Sequence, residues 1–259
     1  FKAYYSDRLF AEENQFAGSD DIRIADFQEA LDDPKCAAIL CVRGGYGSVR
    51  LIDHLNFDKF RIKPKWIVGY SDITVFHSAL HQLGYSSLHA TMPINFMGNT
   101  PQSLSSLFAA LKGEDYEIAA QAHPFNNLGS CEAPIVGGNL SMLYSLLGSA
   151  QSINCSGKIL FLEDLDEYLY HIDRMMYNLK RNDYLSNLAG IIVGSMADMN
   201  DNRIPFGETA EEILRRHFED LNIPIAFGLP AGHLNDNQTL ILGLKAQLQI
   251  DSQKTTIRF

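Results

Sequence analysis

Short continuous apolar runs alternate along this chain with stretches in which apolar residues recur every three or four positions, the pattern of strands trading places with helices. Phe1-Lys2-Ala3-Tyr4-Tyr5 reads as a strand. Ser19-Asp20 then caps a helix through Ile24, Phe27 and Leu31, with Pro34 just beyond its end. Ala37-Ala38-Ile39-Leu40-Cys41-Val42 is an unbroken apolar run of the kind found in parallel strands covered on both faces. It ends in Arg43-Gly44-Gly45-Tyr46-Gly47-Ser48, and Leu51, Ile52 and Leu55 mark a short helix. Trp66-Ile67-Val68 is the next strand, and Gly69-Tyr70-Ser71-Asp72-Ile73-Thr74 leads at once into a helix carrying Ile73, Phe76, Leu80 and Leu83. A further helix is expected over 102–111.

Residues 121–133 mix Gly, Pro, Asn and His without a clear period and are expected to link two domains, 1–120 and 134–259. Beyond the linker, Gly137-Gly138-Asn139 caps a helix with Leu140, Leu143, Leu146 and Leu147 that Gly148 stops. Ile159-Leu160-Phe161-Leu162 is a strand ending in Glu163-Asp164; a helix through Ile172, Met175, Met176 and Leu179 follows. Ile191-Ile192-Val193 is another strand, and an amphipathic helix spans about 208–218. The last quarter changes texture, with short strands at 224–227, 239–242, 246–250 and 255–259. The fold class expected is therefore α/β: a doubly wound parallel sheet with helices on both faces, plus a C-terminal β-rich domain. Ligands of such sheets bind at the carboxyl ends of the strands, which places the Gly44–Gly47 loop and Ser71 at one crevice.

Totals narrow the partners. The 259 residues are 46% hydrophobic and 20% charged, with a formal net charge of −10. That charge disfavours nucleic acid and anionic membranes as partners, since both select basic surfaces. No run of about 18 apolar residues is available to span a bilayer, and no basic stretch followed by an apolar core marks a signal peptide. Cys36, Cys41, Cys131 and Cys155 show no paired spacing and read as buried thiols of a cytoplasmic protein.

The candidate chemistry starts at Ser71, placed where a strand turns directly into a helix. Such a junction exposes the hydroxyl beside the free N–H groups of the first helical turn. Hydrolases use serines so placed as nucleophiles, although the Gly-x-Ser-x-Gly signature is absent; an ordinary helix N-cap is the competing reading. A serine nucleophile needs a base and a group to orient that base. His233, in the rigid Gly228-Leu229-Pro230-Ala231-Gly232-His233 loop, is the best base, against the reading of a surface loop histidine. Glu163, at the end of an apolar strand, is the best orienter, with Asp164 and Glu167 as rivals and Arg174 as a competing ion-pair partner. The Gly44-Gly45-Tyr46-Gly47 loop can bring a backbone N–H to an oxyanion, or be a tight turn or a phosphate loop. Its dinucleotide fingerprint fails, because Arg50 stands where the third glycine belongs. His77 and His81 share a helix face but lack the His-Glu-x-x-His arrangement, so they read as helix-surface histidines, and neither a metal nor a cofactor is expected.

Taken together, these segments resemble the LD-carboxypeptidases, the serine peptidase family that also contains microcin-immunity peptidases. The matches are Ala17-Gly18-Ser19-Asp20, Arg43-Gly44-Gly45-Tyr46-Gly47-Ser48, Gly69-Tyr70-Ser71-Asp72-Ile73-Thr74, Gly137-Gly138-Asn139-Leu140, Phe161-Leu162-Glu163-Asp164 with Tyr170-His171-Ile172-Asp173-Arg174, and Gly232-His233. Six segments in one order make the match specific. Two departures stand out. Leu88-His89-Ala90-Thr91-Met92 has Ala90 and Thr91 where the family usually shows Gly-Pro. The family pattern also carries a further strand and helix, roughly thirty residues, ahead of the position of Phe1, with that strand lying centrally in the sheet.

The resemblance implies a catalytic triad of Ser71, Glu163 and His233 and an oxyanion hole from the backbone N–H groups of Asp72 and Gly45. It implies a flavodoxin-like N-terminal domain, here without its first strand–helix unit, a triad that straddles the two domains, and a homodimer. The implied activity is hydrolysis of the bond between an L-centre of a diamino acid and terminal D-alanine in murein tetrapeptides, as in cell-wall recycling. Tyr46 and Arg174 are candidate substrate contacts, Arg174 for the free carboxylate. Two other readings are a peptidase acting on peptidyl-nucleotides, as in microcin immunity, and a non-catalytic muropeptide-binding protein.

Overall fold

The computed structural model describes residues 1–259. Three short strands, β1 (Ala38–Leu40), β2 (Trp66–Gly69) and β3 (Ser87–His89), pair in parallel in that order; the first two lie in the expected apolar runs, and β3 was not expected. The intervening helices are α1 (Asp20–Asp32), capped by the Ser19 side chain, the short α2 (Asp58–Ile62) and α3 (Thr74–Leu83). Pro101–Lys112 forms α4, capped by Thr100 and ended by Gly113 in a left-handed conformation. Ile73, Phe76 and Leu80 bury the inner face of α3 in a core shared with Leu31, Phe60 and Ile67. Each such side chain contributes about 1.5–3 kcal/mol by leaving water.

The second half is organised by one long strand. After β4 (Glu117–Gln121) comes β5 (Gly129–Asn139), whose two ends take different partners. Its second half leads into α5 (Leu140–Ser145) and pairs in parallel with β6 (Ile159–Leu165), which pairs with β7 (Gly190–Ala197) and that with β8 (Ile225–Ala226). Helices α6 (Leu169–Arg181) and α7 (Ala210–Phe218) alternate with these strands. The chain then adds β9 (Leu240–Leu242), β10 (Lys245–Ile250) and β11 (Lys254–Arg258). The first half of β5 pairs antiparallel with β10, which continues to β11 and β4. Strand β9 lies antiparallel to β3 and touches β5 through Ile135 and Leu242, so hydrogen bonding runs unbroken from β1 to β4.

Several expectations are corrected. Residues 1–5 form no strand, because no strand lies beside them to pair their backbone groups. They are held instead by the Tyr4 hydroxyl, which donates to Asp33 Oδ2 at 2.6 Å, and by Phe1 stacked on Phe108. Strand β1 pairs with β2 alone. The Leu51–Leu55 helix is reduced to two 3-10 turns, Ser48–Arg50 and Ile52–His54. Residues 121–133, expected to lack regular structure, include the end of β4 and the start of β5. Cys36 and Cys155 are buried, but Cys41 and Cys131 are only partly so. No helix is long and apolar enough to cross a membrane.

Candidate active site

Strand β2 delivers Ser71 in an unusual backbone state. Tyr70 is still extended, but Ser71 has φ +64°, and a 3-10 turn, Ser71–Ile73, then opens α3. A left-handed serine costs of the order of 1–3 kcal/mol and persists only where its surroundings impose it. The helix-cap reading fails, since Tyr70 and not Ser71 stands at the N-cap position of this turn. Ser71 remains partly exposed while its successors Asp72 to Leu80 are all buried. This is the strand–turn–helix placement in which hydrolases present a nucleophilic hydroxyl.

The glycine loop after β1 lies against that turn. A Cβ on Gly44 would stand 3.0 Å from Ser71 Cβ and 3.2 Å from Ser71 Oγ, so a side chain there would crowd the serine. The buried Asp72 carboxylate accepts the backbone N–H of Ser48 at 2.8 Å through Oδ2, tying the loop to the serine turn. Tyr46, at the loop's tip, is exposed and packs beside the Phe16 ring.

Glu163 and His233 arrive from the other half. Successive residues of a strand point to opposite faces. Along β6, Ile159 and Phe161 therefore join one core cluster while Leu160 and Leu162 join another. Glu163 follows Phe161 on its face, and Asp164 follows Leu162 on the other. Glu163 is fully buried, and its Oε2 accepts Nδ1–H of His233 at 2.7 Å. Burial alone would push this carboxyl up, but His233 and the nearby His89 outweigh burial and hold it at about 2. Burial conversely lowers the His233 pKa, but the Glu163 hydrogen bond and charge win and raise it above the ordinary imidazole value. Gly232, at φ +114°, makes the approach possible: a Cβ there would sit 2.5 Å from Ser195 Oγ and 2.9 Å from Glu163 Oε2. The His233 ring packs edge-on against Tyr70, the neighbour of Ser71, at 4.8 Å between centroids.

The rivals to Glu163 are engaged elsewhere. Asp164 accepts Asn139 Nδ2 at 2.8 Å, the Ser141 N–H at 2.9 Å and the Leu165 N–H at 2.8 Å. Burial and the adjacent Glu163 charge push it up to about 7 in spite of those donors. Glu167 pairs with His171 Nδ1 at 2.6 Å. Arg174 does not pair with Glu163 or any other carboxylate; it lies exposed with its guanidinium 5.4 Å over the Tyr170 ring. His77 is not on the helix surface: it is buried, and its Nε2 donates to the Gly69 carbonyl at 2.9 Å. No group of three or more His, Cys, Asp or Glu side chains is arranged to hold a metal ion.

The residue not anticipated from sequence is His89. It is fully buried, with the Phe161 ring edge-on at 4.8 Å and its Nε2 3.7 Å from Glu163 Oε1. Its position as the last residue of a parallel strand was the available signal, since sites of such sheets collect there.

The model of the LD-carboxypeptidase N-terminal domain matches residues 1–90, and that of the LD-carboxypeptidase C-terminal domain matches 132–248. A probable murein peptide carboxypeptidase of Bacillus subtilis is 33% identical over 247 residues, covering 93% of this chain and 77% of the relative. The crystal structure of a muramoyltetrapeptide carboxypeptidase from Oxalobacter formigenes superimposes with a TM-score of 0.86 at 29% identity, covering 95% of this chain and 87% of that one. The microcin C7 self-immunity protein MccF of Escherichia coli is more distant, 24% identical over 271 residues, covering 91% of this chain and 77% of the relative. By two family models and this continuous similarity, the chain belongs to the LD-carboxypeptidase family.

Proposed function

We propose that this protein is a serine carboxypeptidase that hydrolyses the amide between an L-centre of a diamino acid and terminal D-alanine in murein tetrapeptides. Ser71 is the nucleophile, His233 the base and Glu163 the group that orients the base. The observation that supports this reading is an imidazole hydrogen-bonded to a buried carboxylate and packed on Tyr70, the residue before a left-handed, partly exposed serine. Because Glu163 is ionised and can only accept, Nδ1 of His233 carries the proton and Nε2 is left as the basic nitrogen.

In the reaction, His233 Nε2 takes the Ser71 proton as Oγ bonds to the substrate carbonyl carbon. The oxygen of that carbonyl becomes an oxyanion held by the backbone N–H groups of Asp72 and Gly45. Gly44 against Ser71 supports this role, since the Gly45 nitrogen is bonded to the Gly44 carbonyl carbon. His233 then gives its proton to the departing D-alanine nitrogen, and the C–N bond breaks to leave an ester on Ser71. A water, deprotonated by His233, attacks the ester and frees the enzyme. Arg174, which has no carboxylate partner of its own, suits the substrate's free carboxylate, and Tyr46, exposed on the glycine loop, is a second candidate contact. We place the nucleophile in a first unit, 1–120, and Glu163 and His233 in a second, 134–259, joined through 121–133. We further propose a cytoplasmic homodimer acting in cell-wall recycling.

The test is release of D-alanine from intact murein tetrapeptide, followed by mass spectrometry, for the wild type and Ser71→Ala. A loss of about 10⁴–10⁶ in kcat is expected if the three side chains act as a unit. Equal release by both proteins would end the assignment. Including a peptidyl-nucleotide in the panel separates the microcin-type reading, which the distant MccF similarity favours. Tight tetrapeptide binding without turnover by the wild type would mark a binding protein instead.

A further inference from the structure

The buried carboxylate at the heart of the site is only half satisfied. Glu163 Oε2 has His233, but Oε1 is buried without a hydrogen-bond partner. Facing it is an imidazole in the same condition: His89 is fully buried, and neither ring nitrogen has a partner. Unpaired buried acceptors and donors each cost roughly 1–3 kcal/mol, so two of opposite kind do not stay apart when a small movement joins them. The gap from Nε2 to Oε1 is 3.7 Å. That is longer than a hydrogen bond and too short to hold a water between the atoms; closing it takes a shift of about 0.8 Å. The ring plane is already set, with Phe161 edge-on at 4.8 Å and Tyr70 edge-on at 6.0 Å.

We infer that His89 is a positioning residue whose Nε2–H donates to Glu163 Oε1, so that the carboxylate is gripped at both oxygens. This rests on the reading of Glu163 as the orienter of His233. A carboxylate held at one oxygen can rotate about its last bond and carry the His233 ring with it; held at both, it keeps one plane. The second donor also draws charge from the carboxylate and moderates its pull on the His233 proton. The other polar and titratable groups packed around the pair are Tyr70 from the end of β2, His77 from α3, Asp164 from β6 and Ser195 from β7. His77 faces His89 at 6.2 Å between rings but spends its Nε2–H on Gly69, and burial with His89 nearby lowers its pKa to about 3, so it brings no charge.

The experiment compares His89→Met, which removes the donor at similar volume, with His89→Gln, whose amide N–H can replace it. The readouts are kcat, KM and the His233 pKa followed by NMR in the resting protein. His89→Met should lower kcat by about ten- to a hundredfold, the range for one hydrogen bond to a charged group, with KM little changed. It should also raise the His233 pKa, because the ungripped carboxylate holds the proton more tightly. His89→Gln should restore both toward the wild type. An unchanged His233 pKa in His89→Met, or equal defects in both variants, would overturn the proposal. The wild type supplies a check that needs no substitution: imidazole nitrogen shifts must show His89 protonated at Nε2, and a proton on Nδ1 alone would sink it. Because the NMR readouts do not need turnover, failure of the triad reading in the Ser71→Ala assay remains distinguishable from failure of this one.

Discussion

The serine turn and the carboxylate bed are two halves of one site built on opposite principles. Ser71 is partly exposed, held in a left-handed conformation, and presented on local geometry. Glu163 and His89 are sealed from solvent and owe their placement to strands distant in sequence. Between them His233 links the two, bonded to the carboxylate and packed on the residue before the serine. The contrast teaches a division of labour. In the proposed mechanism the group that meets substrate must be accessible and can be strained. The group that orients it must be dry, so that its charge acts on one partner at full strength.

The comparison can be broken at its buried end. Glu163→Gln keeps the side-chain shape but removes the charge and can select the wrong His233 tautomer. A loss of about 10⁴ in kcat is expected, by analogy with the same change in serine proteases, with KM nearly unchanged. A loss below tenfold in a steady-state assay would show that burial of this carboxylate serves folding alone.

The junction between the halves sharpens it next. His233 must be unprotonated to act, and its pKa is raised by Glu163. The acid limb of kcat/KM should therefore bend above pH 6.5, falling about tenfold per pH unit below the bend. In Glu163→Gln the bend should move down. The stability arising from the same pair is fully present between about pH 4.5 and 6.5; it is lost as pH rises through the folded His233 pKa, and again as pH falls through the depressed Glu163 pKa of about 2. A pH profile whose bend lies at or below the free imidazole value would remove the coupling.

The exposed end gives a small effect on stability, and one of opposite sign. Ser71→Gly relieves the left-handed strain at φ +64°, so thermal or urea unfolding should show a gain of about 1 kcal/mol while hydrolysis is abolished. A destabilised Ser71→Gly would mean the serine backbone is not under strain.

Much of this site was legible before the fold was known, for identifiable reasons. Ser71 was visible because an apolar run stops and helical periodicity starts within three residues, and that is a local signal. Glu163 and the Gly232-His233 loop were visible by chemistry and by the family resemblance. The strand at 1–5 was misread because its apolar pattern is real but a strand exists only when another chain segment accepts its hydrogen bonds. His77 was read as a surface residue because helical spacing says which residues share a face and not which face is covered.

What the sequence determined by itself was most of the helices, strands β1, β2, β6 and β7 and the short C-terminal strands, the strand-to-helix turn at Ser71 and the acid, base and hydroxyl available. These depend on neighbours a few residues apart, through backbone sterics and side-chain period. Strands β3, β4 and most of β5 were not read from it. Tertiary structure decided which carboxylate of the Glu163–Asp164 pair faces His233, that Gly44 backs the serine, and that His89 lies 3.7 Å from the free oxygen. Those outcomes turn on strand register, where a shift of one residue exchanges the two faces of β6. Register is set by pairing with β5 and β7, which no local pattern in β6 encodes.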